Sequence, residues 1–387
     1  MKLILKLLAG IIGGILIGLF APSVLIALLL TFKGVFGQLL FFTIPLLILF
    51  FITSGIAGLP RNSGQMLGRT LATAYASTIL AGILAFVVAA AVVPMLAGES
   101  GAATATAGVV PEPLLVLEIP PLMGIMSALM AAFIFGLGIA AARADQLKAV
   151  FDQGRDVIEK LLVVVIIPLL PFYIAGVFAE LAAAGTVFET LKTFGVILAL
   201  SIILHWVWIS TLFVIAGLRA GASPVGLVRN MLPAYFTALG TMSSAATIPV
   251  TLQSVRNNRV RDDISAFTVP LCATTHLAGS TITIVACAVA VMVLHDALAV
   301  PSLLAMLPFI FMLGLVMLAA PGVPGGAVMS AVALLTSMLG FGESAIALMI
   351  ALYMAQDSFG TACNVTGDGA IAVLVDQAAG PVSAEPG

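Results

Sequence analysis

The sequence has few charged residues and few cysteines, and each shortage argues against a class of protein. Only 8% of the 387 residues are charged, whereas 62% are hydrophobic and the mean hydropathy is +1.24. A soluble domain of this length needs a more polar surface, so the composition predicts a multispanning membrane protein. The absence of a basic patch argues against nucleic acid as a partner. The three cysteines lie in apolar segments without a CxxC pair, which favours packing roles: Cys272, Cys287 and Cys363.

The N-terminal apolar run could pass for a signal peptide. It follows Lys2 and Lys6 but stays apolar to residue 30 and lacks a convincing cleavage site, so we interpret it as a first membrane span. Further apolar segments are long enough to cross a bilayer. The eight predicted spans are 7–30, 37–59, 70–97, 119–142, 158–184, 188–217, 262–294 and 342–376.

Basic residues fall almost entirely on one side of these spans. Only Lys33 and Lys192 fall on the other side, and the positive-inside rule therefore makes the first side, with both termini, cytoplasmic. The loop 98–118 has acidic residues and no basic residue, as expected outside. The 13 basic residues on the cytoplasmic side are Lys2, Lys6, Arg61, Arg69, Arg143, Lys148, Arg155, Lys160, Arg219, Arg229, Arg256, Arg259 and Arg261.

Two segments, 224–256 and 300–340, do not fit simple spans. The first has basic residues of the same side at both ends, and its arms of about 12 residues reach only ~18 Å, or half a membrane. The second is interrupted by PGVPGGA at 321–327, which no helix crosses unbroken. Two re-entrant hairpins from opposite faces indicate an inverted-repeat transporter. Two kinked ordinary spans are the alternative.

A polar run, DSFGTACNVTGD, lies at 357–368 inside the last apolar segment. Asp357, Thr361, Asn364 and Asp368 are spaced four, three and four residues apart, which places them on one face of a helix. Carboxylates at bilayer depth usually face a protein interior and bind something. The stripe therefore predicts a site for a cation and a small zwitterion, with polar contacts between packed helices as the alternative.

Four motifs resemble those of the glutamate transporter family, the dicarboxylate/amino acid:cation symporters. They are SSAATIPVT at 243–251, FTVPLCATTHLAGS at 267–280, GVPGGA at 322–327 and NVTGD at 364–368. The resemblance covers roughly 37–376. It implies an all-α membrane protein with eight transmembrane helices and two re-entrant hairpins, and a homotrimer in a bacterial cytoplasmic membrane.

The resemblance also implies a division between a fixed scaffold and a transport domain that moves as an elevator. Residues 1–69 and 98–184 would form the scaffold. Residues 70–97 and 185–378 would form the transport domain, which includes both hairpins and the last three spans. Residues 379–387 are expected to be a disordered tail.

The family's substrate-binding residues can be carried over onto matching positions of this chain. Asp357 would take the amino group of the substrate, and Asn364 with the first hairpin tip would hold its carboxylate. The second hairpin tip would close over the ligand through its backbone. The substrate-binding set implied in this way is Ser243, Ser244, Val323, Gly326, Asp357, Gly360, Thr361 and Asn364.

The resemblance implies sodium as the coupling ion and no other cofactor. Asn364 and Asp368 would bind the ion together with carbonyls near Cys272, Thr274 and His276. Sodium prefers oxygen ligands, and broken helices expose carbonyls. Tyr75 and Thr78 could be remains of an additional sodium site.

Two departures from the family pattern affect the expected substrate and ion. Gly360 and Met242 stand where members that take acidic substrates have an arginine, so an acidic side chain would lack a partner. His276-Leu277-Ala278 replaces the usual Asn-Met-Asp, so that either one sodium ion is lost or a proton on His276 replaces it.

These observations favour a secondary active symporter that couples Na⁺ to the uptake of a small neutral amino acid such as serine, threonine or alanine. The first alternative is a Na⁺ or H⁺ symporter of a dicarboxylate or an acidic amino acid, and the second is an anion channel. An enzyme is not expected, because Ser243 has no histidine–acid partner visible by spacing and no zinc motif is evident.

Overall fold

The computed structural model describes residues 2–58, 64–97, 110–295, 297–318 and 320–379. Within these ranges all regular secondary structure is helical and no strand occurs, which confirms the predicted all-α fold. Six helices in the described residues are long and apolar enough to cross a membrane, and four shorter apolar helices accompany them. Arg61, Glu99 and nearly all of the predicted tail lie outside the described residues.

The first two helices are separated at Pro22, whereas the predicted spans 7–30 and 37–59 placed the separation at residues 31–36. Helix α1 covers Lys2–Phe20, and α2 (Ser23–Leu47) continues through a π-helical turn into α3 (Thr53–Ala57). The expected break at residues 31–36 was therefore wrong. Lys33 lies inside α2, where Glu180 pairs with it, and this ion pair lets a charged residue sit within a long apolar helix.

The next three spans are helices of unequal length. Helix α4 covers Gly64–Ala97 and α5 covers Ile125–Ala142. The amphipathic helix α6 (Asp145–Leu161) runs through a second π-helical turn into α7 (Ile167–Ala183), so the fifth span begins 13 residues before the predicted start at 158. Helices α1 and α2 both pack against α7.

Two helical hairpins occupy the segments that did not fit simple spans. After α8 (Val187–Ala220), helices α9 (Pro224–Thr241) and α10 (Ser244–Asn257) form the first hairpin. Helices α13 (Leu303–Met317) and α14 (Gly326–Leu339) form the second. A spanning helix needs about 20 residues, so arms of 14 to 18 residues fit the predicted re-entry.

The two remaining spans, the seventh and the last, bring the polar segments together. The seventh span is broken at His276 and Leu277 into α11 (Asp262–Thr275) and α12 (Ala278–Leu294). The last helix, α15 (Glu343–Ala379), packs against α8 to α12. Its polar stripe therefore faces protein rather than lipid.

Candidate functional site

The four polar residues of the α15 stripe are enclosed by the surrounding helices. Asp357 is 4% exposed, Thr361 5%, Asn364 2% and Asp368 1%. Their regular spacing keeps them on one face, and that face meets the broken helix α12 and the two hairpins. The structure thus gathers the sequence-predicted residues of α15 at one place.

A small cavity of about 20 Å³ lies at this face, which is room for little more than a water molecule. Helices α10, α12 and α14 all begin at the cavity, so three positive helix ends converge there. Its walls combine apolar side chains with hydroxyl, amide and carboxylate groups. The lining residues are Met242, Ser244, Leu277, Ser280, Pro321, Gly322, Val323, Ala327, Tyr353, Asp357, Thr361 and Asn364.

The hairpin tips close over the cavity through two hydrogen bonds. The Ser243 hydroxyl donates to the Gly322 carbonyl at 2.8 Å, which joins the first tip to the second. The Gly325 N–H donates to the Asp357 carboxylate at 2.8 Å, which joins the second tip to α15. Gly325 has a φ of +76°, a conformation that glycine adopts without strain. A ligand larger than water can therefore enter only if a tip moves.

Asn364 caps the helix that begins after the break in the seventh span. Its Oδ1 accepts hydrogen bonds from the N–H groups of Gly279 at 2.8 Å and Ser280 at 3.2 Å. Its amide nitrogen donates to the Ser280 hydroxyl at 2.9 Å. These bonds satisfy orphan donors at the start of α12, so Asn364 fixes the position of α12 against α15.

His276 connects Asp368 to the third span. One ring nitrogen lies 2.9 Å from Asp368 Oδ1, and the other lies 2.9 Å from Ser77 Oγ. Trp208 donates to the same Ser77 hydroxyl at 3.2 Å. The carboxylate, the imidazole and the hydroxyl form one continuous hydrogen-bonded chain in which His276 is 0% exposed.

The predicted sodium ligands already have hydrogen-bond partners within the protein. Oδ1 of Asp368 is bonded to His276, and Oδ1 of Asn364 accepts two N–H groups. The Cys272 carbonyl accepts the His276 N–H at 2.9 Å. An ion held here would have to share these oxygens or displace their present partners. Thr274 is exposed and lies on a separate cleft.

Tyr75 and Thr78, the residues carried over from the third span, direct their hydroxyls elsewhere. Tyr75 donates to the Phe311 carbonyl in α13, and Thr78 donates to Ala74 in its own helix. The third-span residue that reaches His276 is Ser77. The family resemblance pointed to Tyr75 and Thr78 instead, and the sequence alone does not show which hydroxyl of this helix meets His276.

Of the eight predicted substrate-binding residues, five line the cavity and three do not. Ser243 bonds the opposite tip, and the Gly326 N–H donates to the Val323 carbonyl. A Cβ added at Gly360 would lie 3.2 Å from Thr283 Oγ1 in α12 rather than in the cavity. The prediction that position 360 faces the substrate is therefore corrected: the first atom of a side chain there would point towards α12.

Tyr353 lines the cavity and was not among the predicted residues. It lies one helical turn before Asp357, is 0% exposed, and has a hydroxyl without a hydrogen bond of normal geometry. The signal that could have found it is its spacing, because 353 continues the stripe of 357, 361 and 364 by one turn.

A family model described as the sodium:dicarboxylate symporter family matches residues 3–378, nearly the whole chain. The chain belongs to the sodium:dicarboxylate symporter family. This family is a family of transporters and not of enzymes, as the sequence analysis predicted.

Curated relatives of the family include excitatory amino acid transporters. The chain is 29% identical over 258 residues to excitatory amino acid transporter 1 of Ambystoma tigrinum, covering 62% of this chain and 45% of that protein. It is 28% identical to the Mus musculus protein and 27% identical to the Homo sapiens protein of the same name, each over 63% of this chain and 45% of the relative. The matched region thus spans about half the length of these relatives.

Proposed function

We propose that the protein is a secondary active symporter that couples a cation gradient to the uptake of a small neutral amino acid. The observation that carries the proposal is the buried Asp357 carboxylate in a cavity without a compensating base. None of the described residues that line the cavity is basic. A substrate's ammonium group can therefore pair with Asp357, whereas a second substrate carboxylate would be desolvated without a partner.

The substrate's α-carboxylate is assigned to the converging helix ends. Ser244 opens α10 and Ser280 lies in the first turn of α12, and both line the cavity. The dipoles at helix N-termini favour an anion, and the Ser244 and Ser280 hydroxyls can donate to it. In this arrangement the ammonium of a zwitterion pairs with the Asp357 carboxylate, and its carboxylate lies at the positive ends of the helix dipoles.

The coupling cation is proposed to be Na⁺ bound near Asp368. Support comes from the family's description as sodium symporters and from the buried carboxylate. The alternative is H⁺, which the contact between His276 and Asp368 keeps open. Uptake driven by a sodium gradient or a proton gradient, each imposed separately on proteoliposomes, distinguishes the two ions.

The elevator motion, the division into scaffold and transport domain, the homotrimer and the cytoplasmic membrane location with cytoplasmic termini are also proposed. Support for the division is a cleft of about 400 Å³ between two groups of helices. Ser54 and Arg155 line one side, and Ser243, Thr274 and Val323 line the other. Sliding along such a cleft would move the cavity relative to α3 and α6.

A symporter of dicarboxylates or acidic amino acids is the second candidate, because the family's description names dicarboxylates. Equilibrium binding to the purified protein tests the choice, with alanine, serine, aspartate and succinate measured with and without Na⁺. We expect alanine and serine to bind in a sodium-dependent manner and aspartate to bind at least 10-fold more weakly, which corresponds to about 1.4 kcal/mol. Tighter binding of aspartate or succinate than of serine would refute the neutral-substrate assignment.

A further inference from the structure

Tyr353 lines the candidate substrate cavity, and its hydroxyl has no well-formed hydrogen bond. Its ring is completely buried, and the hydroxyl lies beside Ser280 and Asp357 without a hydrogen bond of normal geometry to either. Buried hydroxyls in folded proteins nearly always have a partner. A hydroxyl at a cavity that lacks a well-aligned partner is available to a ligand that enters the cavity.

The surroundings of this hydroxyl limit the kind of group that it can bind. Met242, Leu277, Val323 and Ala327 make the opposing cavity walls apolar. Apart from Asp357, the polar lining groups are neutral hydroxyls and one amide. A phenol both donates and accepts hydrogen bonds, so it can pair with a hydroxyl or an amide. A second carboxylate at the same place would lie beside Asp357 with no basic residue among the described lining residues to compensate it.

We propose that the Tyr353 hydroxyl hydrogen-bonds the side chain of the substrate and selects amino acids with a short hydroxyl or amide side chain over aliphatic ones. The inference rests on the proposed function and narrows its substrate class to residues such as serine, threonine and asparagine. Because Tyr353 lies next to Asp357 on α15, a substrate whose ammonium pairs with Asp357 needs only a short side chain to reach the phenol.

Tyr353 could instead act only by positioning Asp357, and the two roles differ in what they predict. Every amino acid presents the same ammonium group to Asp357, so loss of a positioning contact weakens all of them equally. Loss of a contact to the substrate side chain weakens only substrates with a polar side chain. The ratio of serine affinity to alanine affinity therefore separates the roles.

The test is equilibrium binding of alanine, serine and threonine to the purified protein and to two variants. Tyr353→Phe removes only the hydroxyl. Tyr173→Phe makes the same change in a buried tyrosine of α7 and serves as the control. In Tyr353→Phe we expect serine and threonine to bind roughly 5- to 10-fold more weakly, with alanine changed less than twofold and the control unchanged.

Equal weakening of alanine and serine would overturn the inference in favour of positioning, and unchanged serine affinity would overturn it outright. If Tyr353→Phe does not fold, the unaltered protein decides, because serine must bind several-fold more tightly than alanine if the contact exists. Failure of every neutral amino acid to bind the unaltered protein would contradict the proposed function itself and is thereby distinguished from failure of this inference.

Discussion

At the scale of single residues, the buried polar groups of α15 divide into two sets. Asp357 and Tyr353 face the cavity, where a ligand can reach them. Asp368 is engaged with the broken seventh span through His276. Asn364 lines the cavity and is also engaged with the seventh span, through Gly279 and Ser280. Since one helix carries both sets, movement of α15 or of α12 would alter the substrate site and the ion site together. In the proposed symporter, this arrangement would couple ion binding to substrate binding.

Asp368→Asn tests the assignment of the ion site. The change removes the negative charge but keeps the size of the side chain, so a cation there loses its strongest ligand. We expect the sodium concentration for half-maximal serine binding to rise about 10-fold, measured by titration of Na⁺ at fixed serine. Asp376→Asn, at a carboxylate that pairs with Arg261 near the end of α15, is the matched control. An unchanged sodium requirement in Asp368→Asn would show that the ion binds elsewhere.

Residue spacing was sufficient to place Asp357, Thr361, Asn364 and Asp368 on one buried face. Ser77 was not predicted, because its contact with His276 joins positions 199 residues apart and depends on how two helices pack. The direction of Gly360 was also not predictable from spacing, since its Cβ vector points to Thr283 on a neighbouring helix. Periodicity assigns faces of a helix, and packing decides what each face meets.

At the scale of elements, the start of α12 packs very closely against α15 beside the site. A Cβ on Gly279 would overlap the Gly360 carbonyl oxygen and the Cys363 side chain, so α12 and α15 approach as closely as their backbones permit. Small residues allow such close approach between membrane helices. The Asn364 cap depends on this closeness, because it binds the N–H of Gly279 itself.

Gly279→Ala should therefore separate α12 from α15. We expect a lower thermal midpoint, corresponding to a loss of about 1–3 kcal/mol by overpacking, together with weaker substrate binding. Gly195→Ala in α8 is the control, since a Cβ there meets no atom within 4 Å. Thermal unfolding in detergent with and without serine measures both effects. Wild-type stability and binding in Gly279→Ala would contradict the close junction.

The sequence predicted the hairpins well because proline and glycine mark their tips. It misplaced the end of the first span, because Lys33 with Gly34 and Gly37 after it resembles a loop, and its pairing with Glu180 is not visible from sequence. Similarly, the polar residues of α6 concealed a continuous helix from Asp145 to Ala183. In both cases a tertiary contact or an interfacial position outweighed local polarity.

At the scale of the whole molecule, the account requires that the small closed cavity binds a zwitterion and moves it across the membrane. The hydrogen bond from Ser243 joins the two hairpin tips, and the hydrogen bond to Asp357 joins the second tip to α15. The cleft beside Ser54 and Arg155 separates the tips from other helices. Closed tips and an adjoining cleft suit alternating access better than an open pore. Transport against a concentration gradient is the property that a channel does not have.

The most direct test of the central claim is uptake of labelled serine into proteoliposomes under an imposed inward sodium gradient. The account predicts saturable accumulation of serine above its outside concentration, little uptake of aspartate, and collapse of accumulation when the gradient is dissipated. The Asp357→Asn protein should fold but accumulate roughly 10- to 100-fold less, because the substrate's ammonium loses a charged hydrogen-bond partner. Serine entry that only equilibrates across the membrane, or aspartate accumulation exceeding that of serine, would contradict the account.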